Sequence, residues 1–342
     1  MTTQRLEPNE QDPQKHIKRL TIPLINFQDA PQIHSIRDLV EIGQSVKLYR
    51  NIDTVMLWRI APYLEELDNL VGMGKLKESV FYQIIYYMQG MHTRNKSQEY
   101  LHTMLYGSPG CGKTTVAKII AKIYSGMGIL SKPGLFKIAY RDDFISGYLG
   151  QTAIKTQQLL TSCLGGVLFI DEIYSLAPRD NDRDSFSKEA LDTLTAFLSE
   201  HKDDFCCIGA GYEKDIETCF FGMNQGLKRR FPWVRRFDPY SHKELADIFT
   251  KMVGVINWEL AVNRADITAV IADNDALFKF EGGDVEIFLT KCKIMHSKRV
   301  LRLHHDHKFV ITKKDLENGI AFMKKHVKTD CKTDGKIPFG IY

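Results

Sequence analysis

Short apolar runs alternate with amphipathic stretches through the middle of the chain. Between the runs, apolar residues recur at helical spacing, as at Val116, Ile119, Ile120 and Ile123. Strand-like runs occur near residues 102–106, 135–139, 167–172, 205–210 and 233–237. Because strands and helices alternate, the pattern predicts an α/β domain whose parallel five-stranded sheet is covered by helices on both faces. Residues 226–231 are expected to form a loop before the last strand.

The patterns on either side of this region are helical. Before it, we expect one or two helices in residues 33–66 and a further helix at 75–91. After it, Ser241 and Glu244 fit a capping box that opens a helix. Further helices are predicted near residues 264–274, 284–300 and 312–326. Only residues 308–311 in this last part have an extended pattern.

These patterns divide the 342 residues into four parts. We expect an N-terminal extension at residues 1–60, loose at first and then helical, and an α/β domain at 61–239. A smaller α-helical domain is expected at 240–328, followed by a C-terminal tail at 329–342.

The composition is typical of a soluble globular protein, with 44% hydrophobic and 26% charged residues. The net charge of +4 is mild for this length and does not by itself indicate nucleic-acid binding. Seven cysteines without a C-x-x-C pair, and no secretory signal, indicate an intracellular reducing compartment, with the cytoplasm expected. No apolar run approaches the length of a membrane span, so none is expected.

The strongest chemical signal is segment 107–114, Gly-Ser-Pro-Gly-Cys-Gly-Lys-Thr, which fits the phosphate-loop pattern G-x-x-x-x-G-K-[ST]. It lies between a strand-like run and a helix, so the N-terminus of that helix points at an anion. Its glycines let backbone N–H groups approach phosphate oxygens, Lys113 reaches the β- and γ-phosphates, and Thr114 ligates Mg²⁺. The predicted ATP and Mg²⁺ site therefore uses Gly107, Ser108, Pro109, Gly110, Cys111, Gly112, Lys113, Thr114 and Thr115.

Three cysteines carry expectations about exposure. Cys111 lies inside the phosphate loop and is expected to be reachable from solvent without nucleotide, so that its alkylation blocks binding. Cys206 and Cys207 are adjacent in a strand-like run. Their side chains are therefore expected to point to opposite faces of the sheet as two buried thiols.

Two acidic residues, Asp171 and Glu172, end the third strand-like run. The run before them is apolar, which favours a buried central strand with both acids at its carboxyl end. Asp171 is expected to hold Mg²⁺ together with Thr114, directly or through water. Glu172 is expected to orient or deprotonate the water that attacks the γ-phosphate.

Segments 107–114 and 167–172 resemble the Walker A and Walker B motifs of AAA+ ATPases. The resemblance is best to the branch that contains red-type Rubisco activase and stage V sporulation protein K, and it covers about residues 64–328. Further similar segments are the opening at 70–77, the pore loop and following helix at 144–156, the second loop at 184–190, and the stretches at 209–212 and 224–231. The resemblance implies a P-loop domain with three α/β/α layers, followed by a small α-helical lid.

The resemblance also implies roles for single residues outside the Walker motifs. Val71 and Gly72 would contact adenine. Arg230 takes the place of the family's arginine finger, which reaches a neighbouring subunit's γ-phosphate, and Arg229 competes because this chain has Lys-Arg-Arg where the family has x-Ser-Arg. Tyr148 and the adjacent Leu149 would be the pore-facing residues that grip an extended polypeptide.

Simpler interpretations stay open for these residues. The arginines also fit a basic turn on the surface. Tyr148 also fits a loop tyrosine packed on its own domain.

Two segments depart from the wider AAA+ pattern. The fourth strand-like run ends in Ile-Gly-Ala-Gly-Tyr at 208–212, where many members place a polar residue that orients water, so that role has no assigned residue. Residues 280–285 resemble the F-x-G-A-D-[LIV] sequence of AAA proteins that lack a sensor arginine. Gly282 and Gly283 are therefore expected to bring the backbone close to the nucleotide.

The sequence thus predicts an ATPase in which Lys113, Glu172 and Arg230 are catalytic and water attacks the γ-phosphate. The site is expected to lie between the subunits of a ring, with a homohexamer as the hypothesis and a protein client engaged by Tyr148. Two other functions stay open. One is a nucleic-acid-associated motor or clamp loader, which would favour Lys or Arg around the pore loop. The other is an ATP-gated scaffold that hydrolyses slowly.

Overall fold

A computed structural model describes residues 28–91, 99–148, 150–178, 185–301 and 308–330, without the side chains of 225 and 326–330. Three helices precede the sheet: α1 Ile36–Gln44, α2 Thr54–Asp68 and α3 Gly74–Met88. Ser35 begins α1 with a capping box, in which its hydroxyl accepts from the Asp38 N–H and the Asp38 carboxylate accepts from the Ser35 N–H.

Five parallel strands form one sheet, as the alternating pattern predicts. They are β1 Thr103–Tyr106, β2 Phe136–Ala139, β3 Val167–Ile170, β4 Cys206–Gly211 and β5 Trp233–Arg236. The order across the sheet is β2-β3-β4-β1-β5. Every residue of β1, β3 and β4 is buried, because helices cover both faces of these central strands.

Helices of very different length cover the two faces of the sheet. The helices between the strands are α4 Lys113–Gly126, α5 Arg141–Phe144, α6 Thr152–Ser162, α7 Ser185–Glu200, α8 Glu213–Asp215, α9 Phe221–Met223 and α10 Gln225–Lys228. One apolar core contains Cys206 with residues of α1 to α4, and the other contains Cys207 with residues of α6 and α7. The predicted opposite orientation of these two thiols is therefore confirmed.

The C-terminal part, which we call the lid, has its own apolar core around Phe249 and Phe288. Its elements are α11 His242–Val255, β6 Glu259–Leu260, α12 Arg264–Ala272, α13 Gly282–Val300, β7 Val310–Ile311 and α14 Lys313–Asp330. The strands β6 and β7 pair in parallel. Among the described helices of the whole chain, none is both long and apolar enough to cross a bilayer.

Some short elements differ from the sequence prediction. Residues 226–231, expected as a loop, begin inside α10, because the Asn224 side chain accepts the Gly226 N–H at 2.8 Å and caps a helical turn. A 3₁₀ turn at Ile173–Leu176 follows the two acids of β3. The two-residue strand β6 was not predicted, since two residues show no periodicity.

A buried ion pair joins α13 to the start of α14. The Asp315 carboxylate, 0% exposed, accepts two hydrogen bonds from the Arg299 guanidinium at 2.8 and 2.9 Å and one from the Thr312 N–H at 2.9 Å. His296 Nδ1 lies 3.2 Å from the same carboxylate. Burial alone would raise the pKa of Asp315, but these hydrogen bonds outweigh it and lower the pKa to about 2.

We predict that Asp315 makes the stability of the lid depend on pH. Its folded pKa lies below its unfolded value, so its contribution of about 2 kcal/mol is complete above pH 5 and is lost as the pH falls towards 2. In Asp315→Asn the unfolding free energy should be lower than in wild type at pH 6, and the gap should narrow by pH 3. Urea unfolding followed by tryptophan fluorescence measures this, since Trp258 packs on His296.

The matched control is Asp266→Asn. This carboxylate forms an exposed ion pair with Lys313 on the same lid, so its removal should change stability by less than about 1 kcal/mol. If the difference in unfolding free energy between Asp315→Asn and wild type stayed constant from pH 6 to pH 3, the lowered pKa of Asp315 would not be the cause of the pH dependence.

Candidate functional site

The phosphate-loop segment 107–114 connects the carboxyl end of β1 to α4. Gly110 and Gly112 have φ angles of +78° and +95°, which residues with a Cβ rarely adopt. Gly112 is also the N-cap of α4 and supplies no side-chain oxygen, so the N–H groups of the first turn have no side-chain cap. A helix that begins in this way is suited to bind a phosphate group.

Lys113 and Gly107 fix the position of this loop. The Gly107 N–H donates to the Gly211 carbonyl at 3.1 Å, which ties the loop to the end of β4. The Lys113 ammonium donates to the carbonyls of Gly107 at 2.9 Å and Ser108 at 2.6 Å. The ammonium is therefore held at the loop itself, where phosphate oxygens would compete with these carbonyls for its protons.

The two acids lie at the carboxyl end of β3, next to the phosphate loop. Glu172 has φ +48° and ψ +46°, a left-handed conformation that is uncommon for a residue with a side chain. Its N–H donates to Asp171 Oδ1 at 3.0 Å. Such strained backbone is concentrated at functional sites, where the surrounding structure holds it.

A cavity of about 810 Å³ lies between this edge of the sheet and the lid. That volume lies within the range of small-molecule sites. Of the residues predicted to bind nucleotide or Mg²⁺ or to act on them, its wall contains Val71, Pro109, Gly110, Gly112, Lys113, Thr114, Thr115, Asp171, Glu172 and Gly283. Gly72, Gly107, Ser108 and Cys111 belong to the same segments but not to the wall.

Thr114 and Asp171, the predicted Mg²⁺ ligands, both line the cavity. This ion usually takes one or two protein oxygens together with water and substrate phosphates, so it needs no dense cluster of ligands. The described part of the chain contains no group of three or more His, Cys, Asp or Glu side chains that would hold a metal by itself.

The turn between α2 and α3 contributes Asn69, Leu70, Val71 and Met73 to the wall of the cavity. Lys77 supports this turn, because its ammonium donates to the carbonyls of Asp68 at 2.8 Å and Leu70 at 2.7 Å. Burial lowers the pKa of Lys77. Gly72 has φ +65°, which residues with a Cβ rarely adopt, and a Cβ there would lie 2.5 Å from a Glu244 carboxylate oxygen.

Cys111 is not reachable from solvent, and the sequence-based expectation is wrong. Its side chain is 1% exposed and packs beside Gly107 and not in the cavity wall. A Cβ on Gly107 would lie only 2.6 Å from Cys111 Sγ and 2.9 Å from Phe237. Burial raises the pKa of Cys111 to about 11, which disfavours the reactive thiolate.

The lid contacts the phosphate loop through backbone atoms. A Cβ on Gly110 would lie 2.2 Å from the Phe280 carbonyl oxygen and 2.8 Å from the Gly283 nitrogen, and one on Gly282 would lie 2.8 Å from the Gly110 carbonyl oxygen. The glycines of the lid thus allow close approach to the loop backbone. Their approach to a bound nucleotide stays a prediction.

Three residues near the loop were not found from the sequence. The Tyr240 hydroxyl donates to the Cys111 carbonyl at 3.1 Å. Glu281 has a φ angle of +52°. Burial raises the pKa of its carboxyl group, although the Ser108 hydroxyl and the Lys113 charge lower it in part. Tyr174 lines the cavity one residue beyond Ile173 in the 3₁₀ turn. No motif marks them, because only the folded chain brings the lid and this turn to the loop.

The two arginines of the predicted finger are absent from the wall of the cavity. Arg230 is bound within its own chain, since Nε donates to Ser199 Oγ at 2.6 Å and Nη1 donates to the Gly226 carbonyl at 2.7 Å. Arg229 is exposed, and its guanidinium makes no hydrogen bond or ion pair with a described residue.

Tyr148 lies between α5 and α6 with 73% of its side chain exposed, so it is not packed on its own domain. The base of this segment is held firmly. The Thr156 hydroxyl donates to the Phe144 carbonyl at 3.1 Å, and the Lys155 ammonium donates to the Ile145 carbonyl at 2.9 Å. Leu149, predicted to share the role of Tyr148, lies outside the described residues.

Comparisons with known sequences point to one family. Residues 103–219 match the model of the ATPase family associated with various cellular activities (AAA). The putative cfxQ-like protein R730 of Acanthamoeba polyphaga mimivirus is 36% identical over 288 residues, which cover 82% of this chain and 70% of that protein. Stage V sporulation protein K of Bacillus subtilis is 39% identical over 64% of this chain and 69% of its own length.

Other similar proteins are longer or more distant. The ESX-1 secretion system protein EccA1 of Mycobacterium tuberculosis is 37% identical, and this chain spans about a third (36%) of its length. Two solved structures share the fold: the FIGL-1 AAA domain in complex with ADP (TM-score 0.54, 15% identity, 77% of this chain and 89% of that one) and a mutant of RuvB from Thermotoga maritima (TM-score 0.51, 19% identity, 75% and 72%).

The burial of Cys111 predicts the order in which cysteines are alkylated. At pH 7.5, iodoacetamide should modify the exposed Cys219 at least about tenfold faster than Cys111, because Cys111 is buried and has a raised pKa. Peptide mass spectrometry over a time course measures both rates. Cys331 lies outside the described residues and is replaced by serine in every sample. Equal rates at Cys111 and Cys219 would contradict the described packing.

Proposed function

The chain belongs to the AAA family of ATPases, together with stage V sporulation protein K and the cfxQ-like protein, and from this premise we propose that it hydrolyses Mg-ATP between the subunits of a ring to remodel a protein client. The observation that supports the ATP site is the cavity in which the phosphate loop, both acids and the lid meet. The family supplies the reaction, and the residues of the cavity supply the roles that we assign.

Within one subunit, the proposed roles follow from position in the cavity. Lys113 and the N–H groups at the start of α4 bind the phosphates, while Thr114 and Asp171 hold Mg²⁺. When bound, Mg²⁺ offsets charge on the phosphate oxygens. Glu172 orients the attacking water and takes its proton. Val71 lines the same cavity, on the turn between α2 and α3, and is assigned to the base.

The arginine finger comes from a neighbouring subunit in this proposal. Neither Arg229 nor Arg230 lines the cavity of its own chain, which fits a role at the site of another copy. Arg230 has the position expected from the family resemblance, but its guanidinium makes two hydrogen bonds within its own chain. Arg229 is exposed and reaches a neighbour without the loss of such bonds. Single variants of the two residues distinguish them.

A mixing experiment tests the shared site. Glu172→Gln keeps the arginines and lacks the base, whereas Arg229→Ala/Arg230→Ala keeps the base and lacks the arginines. Each alone should lose at least about a hundredfold in turnover. In an equal mixture, about a quarter of the interfaces join an intact base to an intact arginine, so turnover should recover to roughly that fraction of wild type.

The control for the mixture is wild-type protein mixed with Lys113→Ala. It shows the effect of subunit exchange alone, so that complementation in the test mixture can be told apart from it. Sedimentation velocity with and without ATP reports assembly in each sample. The shared site would be contradicted if the chain stayed monomeric and Arg229→Ala/Arg230→Ala still turned over ATP at full speed. It would also be contradicted if the mixture assembled into rings but recovered no activity.

The client class rests on Tyr148. Its side chain is 73% exposed at the end of a segment whose base is held by α6, which suits an aromatic contact with a polypeptide that does not depend on sequence. A nucleic-acid motor would instead favour basic residues here, and residues 144–150 include no Lys or Arg. We therefore propose a protein client.

Tyr148 should be needed for client work and not for basal hydrolysis. We expect Tyr148→Ala to keep basal turnover within about twofold and to lose stimulation by unfolded casein, while Tyr148→Phe keeps both, because the ring makes the contact. Steady-state phosphate release measures turnover. Single-stranded DNA serves as the second probe, and stimulation by DNA but not by casein would favour the nucleic-acid function instead.

A further inference from the structure

The guanidinium of Arg230 is held by two groups of its own chain. Its Nε donates to Ser199 Oγ at 2.6 Å, and its Nη1 donates to the Gly226 carbonyl at 2.7 Å. Ser199 lies in the last turn of α7 and Gly226 lies in α10, so the side chain is tied to two separate elements. An arginine that is already oriented in this way loses little further freedom when it binds a ligand.

Both partners of Arg230 are suited to hold it in one place. The Ser199 hydroxyl donates to the Thr195 carbonyl, one turn earlier in α7, at 3.0 Å, so its lone pairs remain for the Arg230 Nε–H. At Gly226, a Cβ would lie 3.1 Å from Arg230 Nη1 and 2.9 Å from Asn224 Oδ1. The absence of a side chain at Gly226 therefore gives the guanidinium room to lie against the backbone.

The charge of Arg230 is not neutralised by these contacts, because both acceptors are uncharged. Two other cations close to it in sequence are paired with carboxylates: Lys228 with Glu217 at 2.6 Å and Arg236 with Glu213 at 2.6 Å. Arg230 is half-buried and forms no ion pair with a described residue, and its Nη2 makes no hydrogen bond with one. Such a guanidinium is suited to bind an anion that another molecule supplies.

Arg229 differs from Arg230 in its freedom. Its side chain is exposed, and its guanidinium makes no hydrogen bond with a described residue. To act at one phosphate oxygen it would lose rotamer freedom that Arg230 has already lost in folding. Arg230 can bind a phosphate through Nη2 while both of its own-chain bonds stay in place, so these bonds do not compete with that role.

We propose that Ser199 is a positioning residue, which with the Gly226 carbonyl sets the Arg230 guanidinium so that Nη2 meets the γ-phosphate held by a neighbouring subunit. This inference rests on the proposed shared site. It assigns the finger to Arg230 and not to Arg229. It also makes the end of α7 part of a site that belongs to another copy, in agreement with the absence of Ser199 from the wall of its own cavity.

The first test is Ser199→Ala, which removes the acceptor of the Arg230 Nε–H. We expect kcat for ATP to fall about tenfold, because a misplaced cation offsets less of the transition-state charge. The dissociation constant of ATP, measured with a fluorescent analogue, should stay within about twofold. Ser199→Thr keeps the hydroxyl and should keep kcat within about twofold. In the Arg230→Ala background, Ser199→Ala should have little further effect.

The matched control is Thr193→Val on the same helix. The Thr193 hydroxyl also donates to a carbonyl one turn earlier, that of Glu189 at 2.8 Å, but no described arginine donates to it. This variant therefore removes a hydroxyl from α7 without a change at Arg230. Its kcat should lie within about twofold of wild type.

A mixture shows on which subunit Ser199 acts. In an equal mixture of Ser199→Ala and Glu172→Gln, about a quarter of the interfaces join an intact base from the first variant to an intact Ser199–Arg230 pair from the second. If Ser199 acts on the neighbour's site, turnover should rise to at least about twice that of Ser199→Ala alone. If it acts on its own chain's site, turnover should fall to about half of that value, because only half of the chains carry the base, and the inference is then wrong.

The remaining outcomes separate this inference from the proposed function. An unchanged kcat in Ser199→Ala overturns it and leaves the shared site in place, as does a loss of turnover in Arg229→Ala but not in Arg230→Ala. A loss of assembly in Ser199→Ala, measured by sedimentation velocity with ATP, also overturns it, because the hydroxyl is then structural. If Arg229→Ala/Arg230→Ala keeps normal turnover, the shared site fails first, and the role of Ser199 fails with it.

Discussion

The candidate site depends on the central place of β4 in the sheet. This strand pairs with β3 on one side and β1 on the other, and its last carbonyl, at Gly211, accepts the N–H of Gly107. The phosphate loop and the two acids arise at different points of the sequence, and parallel pairing brings both to one edge. The glycines at the end of β4 let the turn after β3 pack against it, because a Cβ on Gly211 would lie 2.7 Å from Tyr174 Cδ1 and one on Gly209 would lie 2.7 Å from Ile173 Cδ1.

The second constraint is the contact of backbone with backbone between the lid and the phosphate loop. Gly110 has a left-handed φ of +78° and touches the Phe280 carbonyl and Gly283, so any side chain at Gly110 would both strain the loop and push the lid away. The cavity closes only because both sides lack side chains here. The lid and the phosphate loop therefore meet without an intervening side chain.

The sequence predicted the parts of the fold in which apolar residues or motif residues recur at a fixed spacing. The alternation of strands and helices gave the parallel sheet, and the fixed spacing in segment 107–114 located the loop after β1. The sequence did not identify Tyr240, because the loop that Tyr240 contacts is distant from it in sequence. It did not identify Tyr174 either, because a short turn carries no repeating pattern. The exposure of Cys111 was misjudged, since a position inside a binding loop does not say to which side of the loop a side chain packs.

The charges in the wall of the cavity bear on the proposal that two copies share each site. Among the described residues of the wall, the cations Lys113, Lys251 and Lys293 face the acids Asp171, Glu172 and Glu286. Lys251 already donates to the Asn69 carbonyl. A triphosphate brings several negative charges into this balanced wall, and the attack by water places more charge beside Glu172. Mg²⁺ offsets part of it, and the remainder calls for a cation from outside the chain. In the proposed shared site, Arg229 or Arg230 of a second copy would supply that cation.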